Sequence, residues 1–363
     1  MMKKIKVAIA GVGSCASSII QIVSMAKEQG DLLAGIMHEE IGGYSLSNVE
    51  FVAAFEVDSN KIGLDLSEAI LINPTVAISH IDVPFQDVSV EPGPLYDGLE
   101  GNMEEIIEAH PETLKVDITD VAARLKKVEA DVLICYLPTG SYNAVRSYAK
   151  ACSISNTAFI NATPEPVAND PEYVTMFEES GTPLLGDDIR SHMGATTLHT
   201  ALIELLQSRG IEVTNTYQLN FGGNTDFLNL SNSNRSVSKQ KSKRKALFAA
   251  GIDASNVAAG PNGYVEYLGD NKVCYLRLEG KSILNSPISF EVRMQVEDSP
   301  NSAGVMANAI RVAKFAKDKN LSGVIDEVCP FLFKSPRIGT TESNSLKMFN
   351  EFVNISNLRL QNN

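Results

Sequence analysis

The sequence predicts an α/β protein in two parts: a doubly wound parallel sheet and an inserted unit dominated by a second, partly antiparallel sheet. Three observations carry this reading. From residue 5 to about 185, short apolar runs alternate with stretches of helical spacing. After Gly186 the texture changes, and four strand-like segments follow with little helix between them. Residues 303–317 then return to helical spacing, as if the chain rejoined its first part. The boundaries expected are 1–185 plus 300–363 for the first unit and 186–299 for the second.

In the first unit, Ile5 to Gly11 is a mostly apolar run ending in glycine, a buried strand. Cys15 to Glu28 places Ile19, Ile22, Val23 and Ala26 on one helical face. A second strand is expected over Val49 to Val57, after an insertion rich in Gly and Ser. Asn73 to Asp97 carries Pro74, Pro84, Pro92 and Pro94 and reads as a long irregular excursion. Asp131 to Tyr136 is another buried strand, with a helix from about Ser141. Ala158 to Asn161 is a strand that runs into the loop Thr163-Pro164-Glu165-Pro166.

In the second unit, Gly194 to Ser208 reads as a helix with Leu198, Leu202, Leu205 and Leu206 to one side. Strands are expected over Val213–Phe221, Tyr264–Leu268, Lys272–Glu279 and Ile288–Val296. An amphipathic helix over Ala303–Lys317 follows, and the remainder is expected to pack back on the first unit.

Composition narrows the function. The chain has 363 residues, 44% hydrophobic and 21% charged, as expected of a globular protein. No apolar run approaches the roughly 18 to 20 residues of a membrane span, so no membrane partner is expected. The five cysteines are scattered without a C-x-x-C spacing, and the five histidines form no ligand pair, so no metal site is expected. A reduced, cytoplasmic protein is the expectation. A net charge of −13 argues against a general nucleic-acid binder. One local exception is the basic run Arg235, Lys239, Lys241, Lys243, Arg244 and Lys245, which contains no acid. Such a run is either a solvated helix face or a site for an anion.

Gly11-Val12-Gly13-Ser14-Cys15-Ala16 fits the G-x-G-x-x-A dinucleotide fingerprint, placed between a strand and a helix. Gly11 permits the tight turn, Gly13 lets a pyrophosphate approach the backbone, and Ala16 keeps helix and strand close. The motif predicts a Rossmann domain. Glu56, at the end of the second strand, is the expected ribose-reading acid; its charge would repel a 2′-phosphate and favour NAD over NADP. Asp58 is the second candidate for that role. The turns containing Thr139 and Asn161 follow strands, where doubly wound sheets place ligands. Ordinary turn chemistry explains both nearly as well. Lys239 and Lys243 stand at i,i+4 if helical, an unfavourable approach unless an anion lies between them.

At these residues the sequence resembles the myo-inositol-1-phosphate synthases of the shorter bacterial and archaeal type. The likeness covers Gly11 to Ser18, Val57-Asp58 with Leu64 to Ala69, Gly186 to Ser191, Gly194 to Thr196 and Tyr217 to Asn220. It continues through Gly222 to Asn229, Tyr275 to Gly280 and Asp298 to Gly304. The resemblance implies NAD as cofactor, with Asp187 near substrate or cofactor. It implies a catalytic set of Lys239, Lys243, Lys272, Lys334, Asp226 and Asp298, and a homotetramer built through the inserted domain's sheet. Departures occur at Ser14 (an asparagine is usual), Glu56 (an aspartate), His192 (a glutamine), Thr225 (a methionine) and the 161–166 loop.

The reaction implied is an internal redox isomerisation of glucose 6-phosphate to an inositol phosphate. It comprises oxidation at C5 of the open-chain sugar, loss of a proton from C6, attack of the enolate on the C1 aldehyde, and re-reduction. Developing negative charge at each stage explains a site built on lysines. The roles carried over are Lys239 as proton shuttle at the C5 oxygen and Lys334 polarising C1. Lys243 and Lys272 would hold the phosphate and neighbouring oxygens, with Asp226 and Asp298 orienting the ammonium groups. Two alternatives remain: a paralogous cyclase making another cyclitol phosphate, and a non-catalytic NAD-binding protein.

Overall fold

The computed structural model describes residues 4–231 and 259–361. The basic run with Lys239, Lys241 and Lys243 lies outside the described residues.

Seven parallel strands form the larger sheet: β1 (Ile5–Ala10), β2 (Val49–Glu56), β3 (Val90–Pro92), β4 (Val132–Cys135), β5 (Ala158–Asn161), β6 (Pro183–Leu185) and β11 (Gly323–Val324), in the order β11-β6-β5-β4-β1-β2-β3. The central strands β4 and β5 are buried at every position, because helices cover both faces of such a sheet and leave no polar side. Helices α1 (Ser14–Gln29), α3 (Ile118–Val128), α4 (Tyr142–Ser155) and α5 (Pro171–Glu179) alternate with these strands, and α2 is the single turn Leu66–Ala69. β3 lies within the stretch expected to be irregular. It has three residues and ends in Pro92 at the sheet edge, where a missing N–H costs nothing, so it leaves almost no pattern in the sequence.

The second sheet runs β10-β9-β7-β8, from β7 (Glu212–Gly222), β8 (Ala259–Tyr264), β9 (Asn271–Lys281) and β10 (Pro287–Glu297). β7, β9 and β10 are antiparallel neighbours, while β8 joins β7 in parallel at the edge. One strand is displaced from its expected place. The expected strand Tyr264 to Leu268 shares only Tyr264 with the observed one: Glu266–Leu268 is a 3₁₀ turn leading to Gly269, whose φ is +53°, and the strand is 259–264. Gly260, Pro261 and Gly263 masked it, since these residues are tolerated on an edge but rarely signal one.

Helix α6 (Ala195–Ser208) packs Ile203 and Leu206 against Cys274, Leu276 and Leu278 of β9. α7 (Thr225–Leu230) follows β7, capped by Asn224, whose side chain accepts the Phe227 N–H.

Helix α8 (Asp298–Asp318) leaves β10 without a break and packs on α1 and on β1, β4, β5 and β6. It differs from the expected amphipathic helix in two ways. It begins five residues earlier, so the acidic turn at 297–302 is its first turn, with Pro300 where no helical N–H is required. It is also buried nearly all round from Ser302 to Val312, because α1 and the sheet enclose it. Even Arg311 is fully buried, donating to the carbonyls of Ala307, His38 and Glu39 and to Asn308. The short α9 (Cys329–Leu332) and the C-terminal α10 (Glu342–Gln361) complete the chain, α10 touching both α9 and α6. Among the described residues no helix is long and apolar enough to cross a membrane.

Buried between α6 and β7, His199 gives Nε2 to the Thr216 hydroxyl, which itself donates to the Arg277 carbonyl; its Nδ1 finds no partner among the described residues. Burial pushes the imidazole down to about 4. The unfolded chain titrates near 6.5, so between these values the unfolded state binds the extra proton. Stability present above about pH 6.5 should be lost as pH falls towards 4, by about 3 kcal/mol. Denaturant melts across this window should show the loss, and His199→Phe should flatten it.

Candidate active site

The glycine turn after β1 has the geometry of a backbone cradle. Gly11 has φ +90°, and a Cβ there would lie 2.9 Å from the Tyr136 carbonyl oxygen. Gly13 is the N-cap of α1 and faces open space on its Cβ side. The first turn of α1 has no acid and no side-chain cap, so its N–H groups remain available to an anion. Ala16 is fully buried and serves packing, as its place in the motif implies. Glu56 accepts the N–H of Val12 at 2.7 Å and that of Val57 at 2.7 Å, which fixes a carboxylate at the rim of the turn. The residues present therefore fit a dinucleotide. They would hold its diphosphate at the α1 N-terminus and its ribose at Glu56.

This turn forms part of a cleft of about 240 Å³. Gly11 through Cys15, Glu56 and Thr139 line it, and so do Asp226, Lys272, Asp298 and Lys334. Burial, with the charges of Asp270 and Asp298, pushes the Cys15 thiol up to about 12.

The two described lysines of the expected catalytic set each meet a carboxylate. Lys272, near the start of β9, lies 3.0 Å from Asp298 at the start of α8. Lys334, just after α9, lies 2.9 Å from Asp188. The Thr139 hydroxyl donates to Asp226 at 3.1 Å, linking the end of β4 to α7. Asn224 bridges Asp298 and Asp270.

Three expected cofactor contacts are placed elsewhere. Asp58 does not line the cleft; its Oδ1 accepts the backbone and side-chain N–H groups of Asn60 and closes the turn after β2. Asp187 is 1% exposed and also stands behind the cleft, holding Asn161 and the 167–169 loop. Asn161 is fully buried and ties Asp187, Glu165 and Thr163 together. These three support the cleft and do not face it. His192 is wedged against Gly304, where a Cβ would lie 2.1 Å from the imidazole. Burial lowers its pKa, and it does not line the cleft.

Sequence reasoning passed over three residues. Asp188 is the acid that meets Lys334, yet beside Asp187 in the chain nothing distinguishes it; a φ of +64° turns it towards the cleft. Asp270 accepts from the Ser299 backbone and hydroxyl, and burial with the charge of Asp298 pushes its carboxyl up to about 7. Its position two residues before Lys272 was the available signal. Lys61 is the third: it lines the cleft although 4% exposed.

Comparisons with known proteins converge on one family. Residues 194–299 match the family model described as myo-inositol-1-phosphate synthase. The inositol-3-phosphate synthase of Mycolicibacterium smegmatis is 42% identical over 92% of this chain and 93% of its own length. That of Mycobacterium tuberculosis is 39% identical over 96% of both chains. A crystal structure of a myo-inositol-1-phosphate synthase-related protein from Thermotoga maritima superposes with a TM-score of 0.81, covering 97% of this chain and 98% of that one at 22% identity, which bears on the fold. With such identity over nearly its whole length, the chain belongs to the inositol-3-phosphate synthase family.

Proposed function

We propose that the protein is an inositol-3-phosphate synthase, an isomerase that cyclises D-glucose 6-phosphate with NAD as a regenerated cofactor. The observation that supports this most is the company the glycine turn keeps. Two acid-paired lysines, Lys272 and Lys334, share its cleft with Asp226 and Asp298. NAD, when bound, supplies the oxidation and the re-reduction. This chain's residues supply the rest. Lys334 polarises the C1 carbonyl, Lys272 holds phosphate and neighbouring oxygens, and Asp298 and Asp188 keep these ammonium groups aimed. Asp226 orients its neighbours through Thr139. We assign Lys239 to proton transfer at the C5 oxygen and Lys243 to the phosphate, on family position alone.

We further propose that 1–185 with 300–363 form the NAD-binding domain and 186–299 the catalytic and tetramerisation domain. Tyr275, which is 43% exposed on the second sheet, supports association of copies through that sheet. The scattered cysteines, with no paired spacing among them, support a reducing cytoplasm. A second reading, a cyclase acting on another sugar phosphate, is favoured by Thr225, a departure from the family that lines the cleft.

Glucose 6-phosphate and NAD should give an inositol phosphate with no net NADH, read by NMR of the product and absorbance of the cofactor. Accumulating NADH, or no cyclitol, would sink the reading; a different cyclitol from another sugar phosphate would favour the second. Losing a charge-assisted contact at such a site costs on the order of 2 to 4 kcal/mol, roughly 30- to 1000-fold in rate. Lys272→Met, Lys334→Met, Lys239→Ala and Lys243→Ala should each lose turnover on that scale while NAD still binds, whereas Lys241→Ala should change little. Steady-state assays of all five, with melts to check folding, decide whether the lysines differ in this way.

Calorimetry should also show NAD binding more tightly than NADP. Equal affinities would remove the discriminating role from Glu56.

A further inference from the structure

Lys61 has no part in the roles assigned so far. The turn after β2 carries it back to the glycine loop, where Nζ donates to the Val12 carbonyl at 2.7 Å and to the Thr75 hydroxyl at 3.0 Å. Thr75 belongs to the proline-containing excursion. That segment is itself pinned to α1, because the Val76 N–H donates to Ser14, and Gln21 holds the Ile78 carbonyl and the His80 N–H. Lys61 thus joins the two sides of the cleft at the glycine turn.

Its surroundings are unusual for a lysine. The side chain is 4% exposed, and its hydrogen bonds are to neutral oxygens. Asp58 lies near enough to feel its charge, but the two form no ion pair. Burying an ammonium that has no ion pair among the described residues is expensive, and a neutral donor would tether Val12 and Thr75 equally well. An ammonium has three N–H donors, so one remains for a ligand in the cleft that Lys61 lines.

We propose that Lys61 is a dinucleotide-binding residue: its ammonium supplies counter-charge to the cofactor's diphosphate while clamping the glycine turn to the 74–76 segment. The proposal rests on the cofactor reading above. Lys61→Met keeps the stem and removes the charge. A charge-assisted bond is worth enough that NAD and ADP-ribose should bind K61M roughly 10- to 100-fold more weakly by calorimetry. Adenosine has no phosphate, and by ligand-observed NMR it should bind parent and variant within about twofold. Lys61→Arg should recover most of the NAD affinity. If K61M does not fold, Lys61→Gln keeps a donor for Val12, loses the charge and allows the same comparison.

Equal losses for adenosine and NAD would reduce Lys61 to a structural tether and overturn the proposal. So would unchanged NAD affinity in K61M, leaving the cofactor reading intact. Failure of the parent protein to bind NAD would instead overturn that reading, and this proposal with it.

Discussion

The cleft depends on one buried carboxylate that pairs with no cation among the described residues. Asp187 accepts five N–H groups, from the side chain of Asn161, the backbone of Val167, Ala168 and Asn169, and the side chain of Asn169. A carboxylate taken out of water needs this many donors to replace its hydration. In return it fixes the path of the chain. Its backbone pairs with Ser335, and the Lys334 N–H donates to the Asp188 carbonyl at 2.7 Å. Lys334 and Asp188 are therefore brought together by main-chain bonds before their side chains meet. The same loop carries Glu165, which accepts the Gly140 N–H and steadies the turn beside Thr139.

Charge in the cleft is arranged by pairing. The protein is acidic overall, yet two of the lysines in the cleft are each held by an aspartate from another element: residue 272 with 298, and 334 with 188. Asp298 is also crowded by Asp270, and burial with that crowding moves Asp270 towards neutrality. Asp298 meets Lys272, while Asp270 serves Ser299 and the start of α8. That arrangement places the N-terminus of a long buried helix at the edge of the site.

Much of this was legible in the sequence, where the physics is local. β1, the glycine turn and α1 form a contiguous pattern, and the period change after Gly186 reports a sheet with one covered face. What was illegible depended on partners far away. β3 and β8 are edge strands carrying Pro92 and Pro261, and without a ladder on both sides their residues have no need to look extended. The burial of α8 comes from α1 and the sheet packed around it, so its own spacing could not report it. Asp187 and Asp188 are chemically identical in the sequence; only backbone direction separates a support from a wall of the cleft. Asp58 and Asn161 were misplaced for the same reason, since an acid or amide near a strand end serves a turn as readily as a ligand. Lys61 was missed because one lysine in an exposed-looking turn carries no pattern.

The seventh strand of the large sheet has a consequence for how the chain reaches this shape. β11 at Gly323–Val324 pairs with β6 at Pro183–Leu185, and α8 covers one face of β1, β4, β5 and β6. The first half of the polypeptide therefore leaves a ribosome with an apolar sheet face still uncovered, while the whole of the second sheet is synthesised before its cover arrives. Loop closure of that length slows assembly, and the exposed strands in the meantime are open to mispairing. Until the segment from Asp298 onward emerges, β1, β4, β5 and β6 lack the helix that packs on them in the finished fold.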